Sequence, residues 1–543
     1  MSAIVNSSSS SVDPNLLSGA AATASASSSS LIMSLVLYLR QNLSIWSILL
    51  TSFLALIVYD QISYVIKKGS IAGPRFKMWP IIGPFLESMD PKFEEYKAKW
   101  DSGPLSCVSV FHKFVVIAST RDLARKILNS PAFVKPCVVD VAIKILRPTN
   151  WVFLDGKAHV DYRRSLNGLF TRKALSVYLP NLNQVYDRYL DLFVQTSKDG
   201  PVPFMPLFRE IQCAGSLRTF CGTYITDDQV KSISDNFYRI TEALELVNFP
   251  IILPFTKAWY GKRMADETMA IFENCAAMAK KAMAASGTPE VTCTMDAWVK
   301  LMLESKELLK DDPKGEKLTP EERRNLVREF TNREISETIF TFLFASQDAT
   351  SSATTWLFQI IADRPDVLRK IREEQLRVRG PELKEADLDM VDQMDYTRMV
   401  VKEALRYRPP VTMVPYVVKK PYPISADYTI PKGSMVIPTL YPALHDPEVY
   451  DQPDEFIPER WVEGSKACQA NSNWLVFGTG PHVCLGQNYV FMGLVSLFGR
   501  AALYYDWKHT VTPLSEEIRV FATIFPQDDC ILKFTKRDDP TVV

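Results

Sequence analysis

The sequence lacks an excess of charge of either sign, and it lacks the cysteine pairs that bind zinc. Its 543 residues include 62 Lys and Arg against 62 Asp and Glu, so the composition gives no indication of a nucleic-acid partner. Nine cysteines are scattered without a CxxC pair or a zinc spacing. This usage is typical of a reducing compartment with mostly structural thiols, and it argues against a disulfide framework.

Basic residues are also missing from the first part of the chain. Residues 1–30 are rich in serine and alanine and contain no Lys or Arg, and such a stretch cannot bury enough apolar surface to fold. An uncharged apolar run lies between Arg40 and Asp60. Because no basic region precedes the apolar run and no small-residue cleavage site follows it, a membrane anchor is favoured over a cleaved signal peptide.

Four segments are predicted on this basis. They are a disordered, lumenal segment at 1–42, a transmembrane anchor at 43–66, a proline-rich hinge at 67–90 and a mainly helical catalytic domain at 91–543. Lys67 and Lys68 follow the anchor. The bias of basic residues towards the cytosolic side therefore predicts a cytosolic catalytic domain. The anchor implies contact with membrane lipid.

One stretch, FGTGPHVCLG from Phe477 to Gly486, indicates the chemistry. It holds one cysteine, Cys484, among turn-forming residues, and an apolar helix is predicted from about Gln487. Its glycines allow the backbone to turn sharply and to approach a flat ligand closely. Backbone N–H groups and the start of a following helix would stabilise a thiolate, which is a ligand for iron. The alternative is a buried free cysteine in a glycine-rich turn.

With Phe477, Gly480, Cys484 and Gly486 at fixed spacing, this stretch resembles the haem-binding loop FxxGxRxCxG of the cytochrome P450 family. The resemblance implies a mainly α fold with small β-sheets, one N-terminal transmembrane helix, and haem b between a long distal helix and the proximal cysteine loop. It makes Cys484 the axial metal ligand. His482 stands where most of the family has arginine, which implies a weaker, titratable donor to the haem. The loop residues predicted to contact the haem are Phe477, Gly478, His482, Cys484 and Gly486.

A second motif resembles the family's WxxxR helix, which supplies a tryptophan and an arginine to a haem propionate. In the stretch GKAHVDYRR from Gly156, the i,i+4 spacing places His159 and Arg163 on one helix face. His159 replaces the tryptophan. Arg163 is therefore the predicted haem contact, while the neighbouring basic residues are typical of a solvated helix face.

A third motif lies in a long helical region. This region is predicted to begin near Thr319, which is followed by a proline and two acids, and to end near Ala362. Its centre resembles the family's A-G-x-[DE]-T-T motif, in which an acid and an alcohol pass protons to bound oxygen. Asp348 matches the acid, whereas Ser346 replaces the glycine.

The threonine of that motif is shifted by one residue. Ala349 stands in its place, and Thr350 follows, rotated by about 100° around the helix. Asp348 and Thr350 are the predicted catalytic residues, and Ala345 and Ala349 the predicted haem contacts. The alternative is simple bonding of Ser and Thr side chains to the helix backbone.

Glu403, Arg406 and Arg460 match the family's ExxR and PERF motifs in the expected order. The resemblance makes them structural residues that support the haem pocket, and Arg's planar fork suits a buried carboxylate. The resemblance also suggests residues that contact the substrate, each of which could equally be an ordinary core residue. These candidates are Phe344, Val411, Thr412, Met413, Ile524 and Phe525.

Within the family, the chain most resembles the fungal sterol C-22 desaturases. Sterol 14-demethylases usually have histidine at Asp348 and threonine at Ala349, so they fit less well. The resemblance implies introduction of a C-22(23) double bond into a sterol side chain in ergosterol biosynthesis, at the endoplasmic reticulum membrane. Dioxygen and electrons from NADPH, delivered by NADPH-cytochrome P450 reductase, would be used. The alternatives are another monooxygenase of the family, acting on the sterol 14-position, a fatty acid or a xenobiotic, and a non-catalytic membrane carrier of haem or sterol.

Overall fold

A computed structural model describes residues 44–85, 87, 91–111, 113–138, 140–244, 251–285, 290–310, 312–313, 316–520 and 523–543. The segment predicted at 1–42 lies outside these residues. The chain divides into two units, one that ends at Tyr64 and one that runs from Val65 to Val543.

Helix α1 (Ile45–Lys68) is long and apolar enough to cross a membrane. Its 24 residues span about 36 Å, which exceeds a hydrocarbon core of about 30 Å. Large apolar side chains along the helix, such as Trp46 and Ile66, are exposed. This exposure distinguishes α1 from a buried core helix.

Helices make up most of the second unit. In chain order they are α2 (Phe93–Asp101), α3 (Arg121–Leu128), α4 (Asp140–Leu146), α5 (Gly156–Asn167), α6 (Arg172–Thr196), α7 (Met205–Cys221), α8 (Asp227–Asn236), α9 (Tyr238–Glu242), α10 (Lys257–Ala285), α11 (Thr294–Leu308), α12 (Pro320–Asn325), α13 (Asn332–Ala362), α14 (Pro365–Arg379), α15 (Leu388–Asp392), α16 (Asp395–Tyr407), α17 (Tyr441–Leu444), α18 (Lys466–Gln469) and α19 (Gln487–Tyr504).

Within the described residues, the strands form four small sheets. The strands are β1 (Leu105–Val110), β2 (Lys113–Ala118), β3 (Val134–Pro136), β4 (Val202–Pro203), β5 (Tyr416–Val418), β6 (Tyr422–Pro423), β7 (Thr429–Ile430), β8 (Met435–Pro438), β9 (Tyr505–His509), β10 (Ile518–Val520), β11 (Ile524–Pro526) and β12 (Ile531–Lys536). The largest sheet has the order β1-β2-β8-β5-β3, in which only β2 and β8 pair in parallel. The others are β4-β12-β9, β10-β11 and β6-β7.

Helix α13 is the central element of the helical part, and most of its side chains are buried. It begins at a capping box, in which the Thr331 hydroxyl accepts from the Glu334 amide and the Glu334 carboxylate accepts from the Thr331 amide. Thr319 is the N-cap of a helix, as predicted, but that helix is the separate α12, and α13 begins only at Asn332. The end at Ala362 agrees with the sequence, because Pro365 follows closely.

Candidate functional site

The loop around Cys484 folds as a series of tight turns. At two of its positions the backbone adopts a conformation that favours glycine. Gly478 and Gly480 have φ of 71° and 78°, in the left-handed region that favours glycine. A Cβ atom on Gly480 would lie 2.6 Å from the carbonyl oxygen of Leu128. The loop closes through the amide of Cys484, which donates to the carbonyl of Phe477 at 2.9 Å.

The Cys484 side chain is exposed although the protein around it is dense. Burial raises the pKa of the thiol, while the backbone amides of Gly486 and Gln487 and the nearby Arg163 guanidinium act in the opposite direction. The sulfur is therefore accessible in spite of the protein atoms packed around it. Its amide donors favour a thiolate once a metal displaces the proton.

Two histidines and an arginine lie beside this loop. The rings of His159 in α5 and His482 have centroids 4.1 Å apart, and the Arg163 guanidinium donates to the carbonyl of Val483. Burial and the neighbouring Arg163 lower the pKa of both histidines, that of His482 to about 4. The titratable donor predicted at His482 is therefore neutral at physiological pH in this structure, and Arg163 provides the positive charge.

Helix α13 presents a narrow open face. Ala345 is exposed and Ala349 is partly exposed, whereas Gln347, Asp348 and Thr350 are buried. The spacing i,i+4 places the two alanines on one side of the helix. Thr350 lies about 120° from the middle of this face. Its hydroxyl is thus not part of the open face.

The carboxylate of Asp348 is held by two residues from outside α13. The Arg209 Nη2 atom of α7 lies 2.7 Å from Asp348 Oδ1, and the Thr241 hydroxyl donates to Oδ2 at 3.0 Å. The Arg209 contact is close enough for an ion pair, but its geometry does not make a hydrogen bond at Oδ1. Burial raises the pKa of Asp348, and Arg209 and Thr241 oppose the rise.

Arg209→Met is expected to destabilise the protein by about 3 kcal/mol at neutral pH, because it leaves a buried carboxylate unpaired. The pKa of Asp348 should rise further. A carboxyl whose native pKa exceeds its unfolded pKa loses its stabilising contribution as pH rises through the native pKa. Above the ordinary pKa of a carboxyl, the unfolding midpoint in urea should therefore fall more steeply with rising pH than in the parent.

The matched control for Arg209→Met is Arg188→Met, which removes an exposed arginine 3.6 Å from Asp227 and should change little. Adding Asp348→Asn to Arg209→Met should remove the extra pH dependence. Equal pH slopes for Arg209→Met and its parent would contradict the ion pair.

Glu403 accepts hydrogen bonds from every side. Arg406 donates to both carboxylate oxygens at 2.9 and 3.0 Å, and Arg460 donates at 2.8 Å. The Trp461 indole and the Ile457 amide add bonds of 3.0 Å each. Both Glu403 and Arg406 are fully buried. The structure therefore brings the residues of the two motifs into one saturated cluster.

The remaining arginine donors of this cluster bind backbone carbonyls. Arg406 donates to Leu444, Pro453 and Glu455, and Arg460 donates to the carbonyls of Asp451 and Gln452. These bonds fix the irregular segment that leads to the cysteine loop.

The substrate-contact candidates divide by exposure. Phe344, Val411 and Met413 are partly exposed, whereas Thr412, Ile524 and Phe525 are buried. The carbonyl of Ile524 in β11 accepts from Ser352 and Trp356 of α13.

Sequence reasoning missed Arg209, Thr241 and Trp474. Arg209 and Thr241 carry no motif, so no sequence signal could have found them. Trp474 packs against Phe477 of the cysteine loop with ring centroids 5.5 Å apart, and its position three residues before Phe477 is the only hint that the sequence offers.

The residues around Cys484 fit a haem. Among the described residues, no group of three or more His, Cys, Asp or Glu could hold a metal ion. An exposed thiol with Arg163 beside it suits an iron whose other ligands come from a porphyrin.

The cysteine loop, the cluster around Glu403 and the long helix α13 together define one class of protein. The chain belongs to the cytochrome P450 family, whose family model, Cytochrome P450, matches residues 73–531. The haem cofactor and the supply of electrons from a reductase follow from that membership.

Several curated relatives are similar over most of their length. The C-22 sterol desaturase ERG5 of Saccharomyces cerevisiae is 66% identical over 505 residues, which is 92% of each chain. ERG5 of Candida albicans is 65% identical over 493 residues, 90% of this chain and 93% of its own. Cytochrome P450 monooxygenase oblE of Emericella variicolor is 54% identical over 499 residues, 91% of this chain and 93% of its own.

A solved structure, retinoic acid bound cyanobacterial CYP120A1, has a TM-score of 0.70 at 20% identity. It covers 84% of this chain and 98% of its own. The predicted fold class, mainly α with small sheets, is thereby confirmed.

Proposed function

We propose that the protein is a sterol C-22 desaturase, which introduces the C-22(23) double bond into a sterol side chain in ergosterol biosynthesis. The observation that carries this function is the 66% identity to a curated C-22 sterol desaturase over 92% of the chain. The site supports it, because Cys484 is accessible and its supporting cluster at Glu403 is complete.

Cys484 would hold the haem iron, and Arg163 is the charged group that suits a propionate. Ala345 and Ala349 would contact the macrocycle from the distal side, because they form the open face of α13. The other residues proposed to contact the haem are Phe477, Gly478, His482 and Gly486. When bound, the haem supplies thiolate-supported activation of dioxygen with electrons from NADPH.

Asp348 and Thr350 are the residues that we propose for proton supply. Asp348 is the better-supported candidate of the two, since a carboxyl with a raised pKa can hold a proton closer to neutral pH. Its oxygens are bound by Arg209 and Thr241, so Arg209 must release Oδ1 before Asp348 can donate from that atom. Thr350 is buried and would need a local movement of α13.

The sterol would be bound by apolar side chains near the distal helix. Phe344, Val411 and Met413 are the accessible members of the proposed set. Thr412, Ile524 and Phe525 are buried, and they would contact the sterol only after the segments that carry them move.

We propose NADPH-cytochrome P450 reductase as the electron donor and the endoplasmic reticulum as the membrane. Helix α1 would be the single anchor, and Lys67 and Lys68 in its last turn favour a cytosolic catalytic domain.

Ala349→Thr is expected to raise the yield of alcohol relative to alkene. The methyl group of Ala349 offers no hydrogen bond to water on the open face of α13, and desaturation requires that a second hydrogen leave before a hydroxyl group is transferred. A restored hydroxyl would hold a water there. The product ratio is measured by mass spectrometry after single turnovers, with Ala353→Thr, at a buried alanine one turn further along α13, as control. An unchanged ratio of alkene to alcohol for Ala349→Thr would contradict this role of Ala349.

Hydroxylation of a different apolar substrate is the second candidate, favoured by the 54% identity to a monooxygenase. A product assay on a 5,7-unsaturated sterol separates the two, since a desaturase removes two hydrogens from it, whereas a hydroxylase of a different substrate leaves it unchanged.

A further inference from the structure

Helix α9 reaches the acid of α13 through one buried side chain. Thr241 is 1% exposed, and its hydroxyl donates to Asp348 Oδ2 at 3.0 Å. The same hydroxyl oxygen accepts from Arg209 Nη2 at 3.4 Å. Because a guanidinium can only donate, the single hydroxyl proton of Thr241 must point towards the carboxylate. Thr241 therefore links Arg209 of α7 to Asp348 in a fixed direction.

The other hydroxyl groups near Asp348 do not bind its carboxylate. Ala349 stands where the family motif has threonine, and Thr523 donates to the backbone carbonyl of Asp348. Among the described residues, Thr241 is the one hydroxyl that donates to the carboxylate. Four hydroxyl groups of α13 donate instead to carbonyls of their own helix, and they belong to Ser346, Ser351, Thr354 and Thr355.

The two carboxylate oxygens of Asp348 consequently have different surroundings. Oδ2 accepts from Thr241, whereas Oδ1 faces Arg209 without a hydrogen bond. The other titratable group beside the carboxylate is the thiol of Cys213 in α7. Burial raises the pKa of this thiol to about 12, so it stays neutral. A proton taken up by Asp348 would therefore reside on Oδ1, the oxygen that accepts no hydrogen bond.

We propose that Thr241 is a positioning residue for proton supply, and that α9 provides the alcohol partner of Asp348 that α13 lacks. This inference rests on the proposed function of Asp348. The Thr241 hydroxyl holds Oδ2 and thereby leaves Oδ1 as the oxygen that gives a proton. Without this hydroxyl the carboxylate is free to turn. More of the dioxygen should then leave as hydrogen peroxide, which forms from one O2, two electrons and two protons.

A close approach between α9 and α10 holds Thr241 in place. A Cβ atom on Gly261 of α10 would lie 2.5 Å from the Cβ atom of Ala243 and 2.5 Å from the carbonyl oxygen of Arg239. Arg239 belongs to α9, and Ala243 follows its last residue. A side chain at position 261 would therefore displace α9, and Thr241 with it, without altering the hydroxyl group itself.

The test measures oxidised sterol and hydrogen peroxide per NADPH with the purified full-length holoprotein, its reductase and a 5,7-unsaturated sterol. Thr241→Val keeps the shape of the side chain and removes the hydroxyl. The product per NADPH should fall about tenfold, since a hydrogen bond to a charged group is worth about that factor. Peroxide should account for the difference, while the KM for the sterol should change less than about twofold. Thr241→Ser should restore most of the loss.

Gly261→Ala tests the same contact from the other side of α9. It should lower the product per NADPH, and adding it to Thr241→Val should have little further effect, because both changes act on one hydrogen bond. Thr268→Val is the matched control for the lost hydroxyl, since Thr268 is buried in α10 and donates to the carbonyl of Met264. Gly200→Ala is the control for the added methyl group, which would meet nothing within 4 Å. Both controls should keep the parental ratio.

A second readout does not depend on turnover. Loss of the Thr241 donor should raise the pKa of Asp348 further. The urea midpoint of Thr241→Val should then fall more steeply with rising pH than that of the parent, above the ordinary pKa of a carboxyl. Equal pH slopes would overturn the proposal, and they decide it alone if the parent oxidises no sterol.

Two results of the turnover assay would also overturn the proposal. They are a parental product ratio for Thr241→Val, and a Thr241→Ser variant that is as poor as Thr241→Val. Every oxidised sterol is counted as product. A hydroxylated product would therefore contradict the desaturase function, while the comparison of Thr241 variants would still decide the role of this residue.

Discussion

Cys484→Ser is expected to lower formation of desaturated sterol by about a thousandfold or more, while the chain still folds. Cys484 is the one accessible thiol on which backbone amides from Gly486 and Gln487 converge. A serine oxygen at this position is a much weaker electron donor to iron than a thiolate. Product formation per mole of folded protein is the measurement, with the carbon monoxide difference spectrum as a second readout.

The matched control is Cys468→Ser. Cys468 is also partly accessible and lies in α18, sixteen positions earlier in the chain. It should leave both readouts close to those of the parent. Retention of parental activity by Cys484→Ser would contradict the assignment of the metal ligand.

Glu403→Gln is expected to destabilise the folded protein by about 3 to 5 kcal/mol. The carboxylate accepts from Arg406, Arg460, Trp461 and the Ile457 amide, and a neutral amide leaves two buried guanidinium groups without an anion. The amide also presents an NH2 group to these donors, which is a direct conflict. The midpoint of urea unfolding and the yield of haem-containing protein measure the effect.

Glu373→Gln provides the comparison for Glu403→Gln, since it removes an exposed i,i+4 partner of Arg369. That loss should be within about 0.5 kcal/mol. A cost below about 1 kcal/mol for Glu403→Gln would mean that the cluster does not hold the cysteine loop in place.

Local signals in the sequence were sufficient for the parts of the site that depend on short-range geometry. The positive φ values at Gly478 and Gly480 and the start of α19 at Gln487 agree with the turn and helix predicted there. The end of α13 also agrees, because a proline close behind a helix is a local stop signal.

The remaining features of the site depend on contacts between segments that are distant in the sequence. No pattern in a single sequence indicates such contacts. The pairing of Asp348 with Arg209 joins α13 to α7, and neither residue type nor spacing indicates it. The neutral state of His482 arises from burial against His159 and from Arg163. The burial of Ile524 follows from hydrogen bonds between β11 and α13 that have no pattern in the sequence.

The most direct test of the proposed function is the product formed from a 5,7-unsaturated sterol with a saturated C-22/C-23 bond. Membranes that contain the protein, the reductase and NADPH are incubated with this sterol. The molecular mass of the product is then determined by mass spectrometry. We expect loss of two hydrogens with no gain of oxygen, and no product from Cys484→Ser membranes. Gain of one oxygen would contradict the desaturase function and would make the protein a hydroxylase built on the same fold.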